Sequence, residues 1–113
     1  MKEVVNLTIQ IVWFVVDHQP PIVACELVDA EGRCHTFIDK VWIFLDRTLD
    51  ADSEYPQTGA VRCAVLNRWR DGHGRDLVRI NTADPDFVES TEGLSEFVVP
   101  QTQVSAEPST SGA

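Results

Sequence analysis

At 113 residues and 12.6 kDa the chain has the size of one domain. It carries 9 Lys and Arg against 18 Asp and Glu, a formal charge of −9 and a pI near 4.5. That balance counts against general nucleic-acid binding and against attachment to anionic lipid, both of which draw on positive charge, while a hydrophobic share of 43% argues against disorder of the whole chain.

Val5, Leu7, Ile9 and Ile11 alternate with Asn6, Thr8 and Gln10, the period-two pattern of a half-buried strand. The run continues through Val12-Trp13-Phe14-Val15-Val16, apolar on both faces, and predicts passage into a doubly covered sheet centre. Pro20 and Pro21 end it, since neither donates a ladder hydrogen bond. Ile22-Val23-Ala24-Cys25 has the look of a lipoprotein processing site, but Asp17 to Pro21 separates it from the preceding apolar run, which is too short for a signal or membrane-spanning segment. The reading is of a cytoplasmic chain complete from Met1.

Ile22 to Asp29 is again strand-like. Asp29-Ala30-Glu31-Gly32-Arg33 predicts a three-residue hairpin loop, with Asp opening a type I turn and Gly taking the left-handed position. Cys34 to Lys40 is the returning strand, with Val41 to Leu45 as its continuation after a bend. The register then pairs Leu27 with His35, Cys25 with Phe37 and Val23 with Asp39, placing Val23, Cys25, Leu27, His35 and Phe37 on one core-like face. Cys34 falls on the other face, so a Cys25–Cys34 disulfide is disfavoured by geometry. Three cysteines cannot all pair within one chain, and reduced thiols are expected.

Asp46 to Gly59 reads as an acidic, turn-rich connection. Ala60–Arg70 and Asp76–Thr82 form a second hairpin over Asp71-Gly72-His73-Gly74-Arg75, pairing Trp69 with Leu77, Asn67 with Arg79 and Val65 with Asn81. Ala83 to Asp86 is a turn, and Glu89 to Gly93 is open between a short helical turn and a hairpin loop. Leu94 to Val99 is the last strand. Pro100 to Ala113 is small and polar and predicts a disordered tail beyond a 1–99 domain. With no long segment of helical period, the fold class is all-β: a small barrel of five to seven mostly antiparallel strands.

The chemistry-bearing residues form no catalytic constellation. His18, Cys34, His35, Cys63 and His73 lack the paired spacing of a zinc site. Cys34 and His35 are neighbours on a strand and point apart. An EF-hand loop starting at Asp50 would need Gly and Glu where Tyr55 and Val61 stand. No metal, cofactor or catalytic residue is assigned, and the protein reads as a non-enzyme.

Charge segregation is the one functional signal. Residues 60–80 sum to +3 against −12 for the rest. Arg68, Trp69, Arg70 and Arg79 lie on that hairpin, residue types enriched at binding hot spots and suited to bases and phosphates. The bland alternative pairs Arg75 with Asp71 and Arg70 with Asp76 and leaves Trp69 as a lid on the core. Asp50, Asp52, Glu54, Asp86 and Glu89 mark acidic stretches at 46–54 and 84–96.

Cys25-Glu26-Leu27-Val28-Asp29-Ala30-Glu31-Gly32-Arg33, His35, Phe37, Asp39-Lys40-Val41 and Glu89-Ser90-Thr91-Glu92-Gly93-Leu94 with Glu96-Phe97-Val98-Val99 resemble small bacterial single-domain proteins of uncharacterised function. The resemblance implies a compact β-barrel similar to the barrel domains of translation factors and brings no functional residues. The expected function is non-catalytic binding of a protein partner, in one version a basic partner engaged by an inhibitor or immunity-type protein through the acidic stretches. The alternative is a barrel that binds single-stranded RNA through the Arg/Trp hairpin. A homodimer is left open.

Overall fold

A computed structural model describes residues 2–17 and 19–106. It is all-β: β1 (Val4–Val16), β2 (Ile22–Val28), β3 (Cys34–Lys40), β4 (Gln57–Arg70), β5 (Asp76–Asn81), β6 (Glu96–Pro100) and β7 (Val104–Ala106), with single 3₁₀ turns at Val41–Ile43 and Gln101–Gln103. All pairings are antiparallel in one sheet ordered β3-β2-β1-β4-β5-β6, with β7 on β1. The sheet curls into a half-barrel. None of the described residues forms a helix long and apolar enough to cross a membrane.

Alternation along the strands builds the interior. Val5, Leu7, Ile9 and Ile11 of β1 meet Val61 and Cys63 of β4, and Val23, Cys25, Leu27 and Phe37 of the first hairpin, all buried. The β2–β3 register is the expected one, with Leu27 opposite His35, Cys25 opposite Phe37 and Val23 opposite Asp39. All three cysteines are free, Cys34 exposed and the other two buried.

The sheet closes on itself at a seam rather than through a ladder. Ala30 at the first hairpin tip donates to the Val98 carbonyl of β6 (2.8 Å), and Thr91 donates to the Thr36 carbonyl of β3 (2.8 Å). Inside, Phe97 of β6 packs edge-on to Phe37 at 5.6 Å and against the His35 ring at 4.7 Å.

Four expectations are corrected. The second hairpin keeps Trp69 opposite Leu77 and Asn67 opposite Arg79, but a bulge at Leu66 moves Val65 onto Ile80 and Asn81 onto Ala64; one extra residue flips the parity beyond it. The end of β1 does not enter a doubly covered centre. Only β2 pairs with it, register shifts flank Val12 and Val15, and Trp13, Val15 and Val16 are exposed. Val41 to Leu45 does not extend β3. It turns in a 3₁₀ helix that buries Val41 and Phe44. The chain is not a bare tail from residue 100: Val104 packs on the core, and β7 covers the stretch of β1 that the shorter β2 leaves unpaired. Residues 107–113 of that expected tail, and His18, lie outside the described residues.

Candidate interaction surfaces

Three turns of one design gather at one end of the half-barrel. In the first, Asp29 and Arg33 join as N–H donor and carbonyl acceptor (2.9 Å), Gly32 donates to the Asp29 carbonyl (3.0 Å), and Asp29 Oδ1 accepts from the amides of Glu31 and Arg33. Asp71 repeats every bond with Arg75, Gly74 and His73. Ser90 repeats them a third time: its hydroxyl accepts from Glu92 and Leu94, and Gly93 donates to its carbonyl. Gly32, Gly74 and Gly93 stand at φ +81°, +80° and +82°, the left-handed conformation that a Cβ disfavours. The first two turns are marked in the sequence by Asp29 and Asp71; the third is not, because a hydroxyl replaces the carboxylate. The common signal is an acceptor side chain three residues before Gly.

A cleft of about 510 Å³ lies between these turns, lined among others by His35, Trp69, Arg75, Arg79 and Glu96. At its base His35 Nε2 and Asp29 Oδ2 are 2.8 Å apart, with side chains only 10% and 11% exposed. Burial alone pushes the Asp29 carboxyl up, but the hydrogen bond from His35 and the amides of Arg33 and Glu31 outweigh it and hold it below the ordinary value. Asp29 is an acceptor, so Nε2 is the donor in this bond, while Nδ1 is buried with no hydrogen-bond partner among the described residues. The imidazole also packs at a 59° tilt against the Phe97 ring. The pair pins the turn to the core.

The arginine hairpin is neutralised from within. Arg68 makes a two-pronged pair with Glu3 of the neighbouring N-terminal segment and also reaches Gln101. That pair lowers the Glu3 pKa and raises that of Arg68. Arg70 pairs with Asp76 (3.1 Å), Arg75 with Asp71 (2.8 Å), Arg62 with Asp86 (2.8 Å) and Arg79 with Glu96 (4.0 Å). Trp69 is half-buried in the cleft. The five arginines of residues 60–80 therefore do not form one open cationic platform, and the pairings Arg75–Asp71 and Arg70–Asp76 are those of the bland alternative.

The acidic positions are placed differently from one another. Asp50, Asp52 and Glu54 are exposed on the connection between β3 and β4 and pair with no cation among the described residues. The Asp50 carboxylate instead organises its own loop, accepting from the Asp52 amide (2.9 Å) and the Ser53 hydroxyl (3.3 Å). Asp86 is committed to Arg62, while Glu89 is exposed. The structure thus brings Asp86 to the arginine hairpin and keeps Asp50, Asp52 and Glu54 in a separate loop.

A second, larger groove of about 740 Å³ runs over the outer face of β1 and β4. Its floor is low because Thr8, Thr58, Gly59 and Ala60 are small, and Trp42 and the Arg62–Asp86 pair line it. Sequence patterning gave no sign of it, since it depends on the 3₁₀ turn that displays Trp42. Among the described residues no three or more His, Cys, Asp or Glu side chains converge to hold a metal ion. No protein-family model, no curated protein and no solved structure matches this chain.

Proposed function

We propose that the protein is a non-catalytic binding module that engages a basic protein partner through its acidic surface, as an inhibitor or immunity-type protein would. The observation that carries this reading is the pairing of the hairpin arginines with internal carboxylates. The outward field is then set by the unpaired carboxylates, led by Asp50, Asp52 and Glu54. A surface of one sign steers an oppositely charged partner and raises its association rate in a salt-dependent way.

The same pairing argues against the RNA-binding alternative, because a phosphate would have to displace Glu3, Asp76 or Glu96 from its arginine. The experiment is a pull-down with the full chain as bait, compared with an Asp50→Asn/Asp52→Asn/Glu54→Gln variant. A basic partner released by salt and lost by the variant is expected. Recovery of acidic or neutral partners alone, or retention that ignores the substitutions, would refute the reading. In parallel, single-stranded RNA is titrated against tryptophan fluorescence at low salt, and no quenching is expected. Salt-sensitive quenching lost in Arg70→Gln/Arg79→Gln would favour the RNA-binding barrel.

A further inference from the structure

The outer groove carries one exposed aromatic, Trp42, and a second, Phe87, directly follows Asp86 of its lining. Trp42 is 62% exposed, yet its neighbours Val41 and Phe44 are buried, and the Phe44 carbonyl accepts from the Ala60 amide of β4 at 3.0 Å. The 3₁₀ turn therefore cannot swing Trp42 inward. Phe87 is 86% exposed and stands at φ +59°, a conformation costly for a bulky L-residue.

The loop around Phe87 enforces that conformation. Its base is closed by the Val88 amide donating to the Thr82 carbonyl (3.1 Å) and the Thr82 hydroxyl donating to the Val88 carbonyl (2.7 Å). On one side Arg62 grips Asp86 with two nitrogens, and on the other Val88 is buried. A glycine at position 87 would satisfy this loop without strain. The chain instead holds an aromatic ring in water that contributes almost nothing to its own core.

We propose that Trp42 and Phe87 are paired anchors of a docking face for a basic, aliphatic-bearing segment of a protein partner, an assignment that rests on the protein-binding reading above. Exposed aromatics held on rigid supports are the material of binding hot spots. The charge of the partner follows from the rim. Asp46 lines the groove and Glu89 follows Phe87 by two residues, neither paired with a cation among the described residues. Of the neighbouring cations, Arg62 is held by Asp86, and Arg47, next to Asp46, is hydrogen-bonded to Gln57. Lysine or arginine on the incoming segment meets the carboxylates while aliphatic side chains cover the two rings.

The test selects phage-displayed random 12-residue peptides on the full chain and then measures synthetic versions on variants. Peptides rich in Lys or Arg with Leu or Ile are expected. Their Kd weakens by about tenfold or more in Trp42→Ala and in Phe87→Gly, and is unchanged in Trp13→Ala, an exposed aromatic elsewhere. Phe87→Gly keeps or raises the Tm, which separates a binding role from a structural one. A lower Tm for Phe87→Gly, a selection without basic residues, or equal binding to the variants overturns the proposal. Self-association of the wild type that Phe87→Gly abolishes overturns it in favour of a second copy. Peptides whose salt-sensitive binding is lost only in the Asp50, Asp52 and Glu54 variant overturn this face and leave the protein-binding reading standing; no binding peptide at all sinks both.

Discussion

Replacing Asp29 with alanine tests how the three like turns differ. The carboxylate accepts from Glu31 N at 2.8 Å, Arg33 N at 3.0 Å and His35 Nε2 at 2.8 Å. Once freed, the two turn amides lie where water can replace the carboxylate, so their loss costs about 1 kcal/mol, as for a lost helix cap. The imidazole N–H is different. His35 is 10% exposed at its side chain, and a stranded buried donor costs about 2 kcal/mol. The sum of about 3 kcal/mol lowers the Tm by about 12 °C in a domain of this size. Asp71→Ala loses the same two turn bonds and a solvent-screened ion pair with Arg75, but strands no buried ring, so its Tm falls less. Asp29→Ser/His35→Phe then recovers most of the loss, because Ser90 demonstrates that a hydroxyl completes this turn and a phenyl ring asks for no hydrogen bond. Thermal unfolding followed by circular dichroism measures all four proteins. Equal losses for Asp29→Ala and Asp71→Ala, or no recovery in the double variant, would refute the reasoning. The pH dependence has a fixed direction. The folded pKa of Asp29 is depressed, so its ionic stabilisation is complete above the unfolded value of about 4 and is lost as pH falls through the folded value. The gap between wild type and Asp29→Ala should therefore narrow in acid.

Two further outcomes are expected. Burial pushes the Cys25 and Cys63 thiols up to about 12, while Cys34 is exposed, so a disulfide reagent at neutral pH labels one thiol in the native protein and the other two only after denaturation; more than one rapidly labelled native thiol would contradict the burial. A Cβ at position 59 would stand 2.9 Å from the Phe44 carbonyl oxygen and 3.1 Å from Ile11 Cδ1. That oxygen is already tied to the Ala60 amide, so Gly59→Ala should cost about 2 kcal/mol in urea unfolding, and a change below about 0.5 kcal/mol would show that the 3₁₀ turn can yield.

Local chemistry explains which parts of the fold were legible in the sequence. Asp29-x-x-Gly32 and Asp71-x-x-Gly74 each fix a loop length, and the loop length fixes the register of the flanking strands. The buried face Val23, Cys25, Leu27, His35 and Phe37 followed from that alone. Prediction failed where the determinant was distant. The bulge at Leu66 is a tertiary adjustment that leaves no mark in an apolar run. The apolar end of β1 looked like a centre because composition cannot tell a covered strand from one whose partner stops short. Val104 is a single apolar residue in a polar segment, and only the vacant edge of β1 gives it a role. The arginine hairpin was visible, but three of its partners, Glu3, Asp86 and Glu96, come from other parts of the chain. The groove was invisible for a related reason: its walls come from segments far apart in sequence.

The seam between β3 and β6 gives the molecule a clasp rather than a weld. A strand ladder opens only at the cost of many bonds together, whereas here two isolated backbone bonds at turn tips lie over a cluster of three rings, His35, Phe37 and Phe97. The resistance to parting resides in side-chain packing and in the turns, so it can be tuned by substitution at the clasp without altering the register of a single strand.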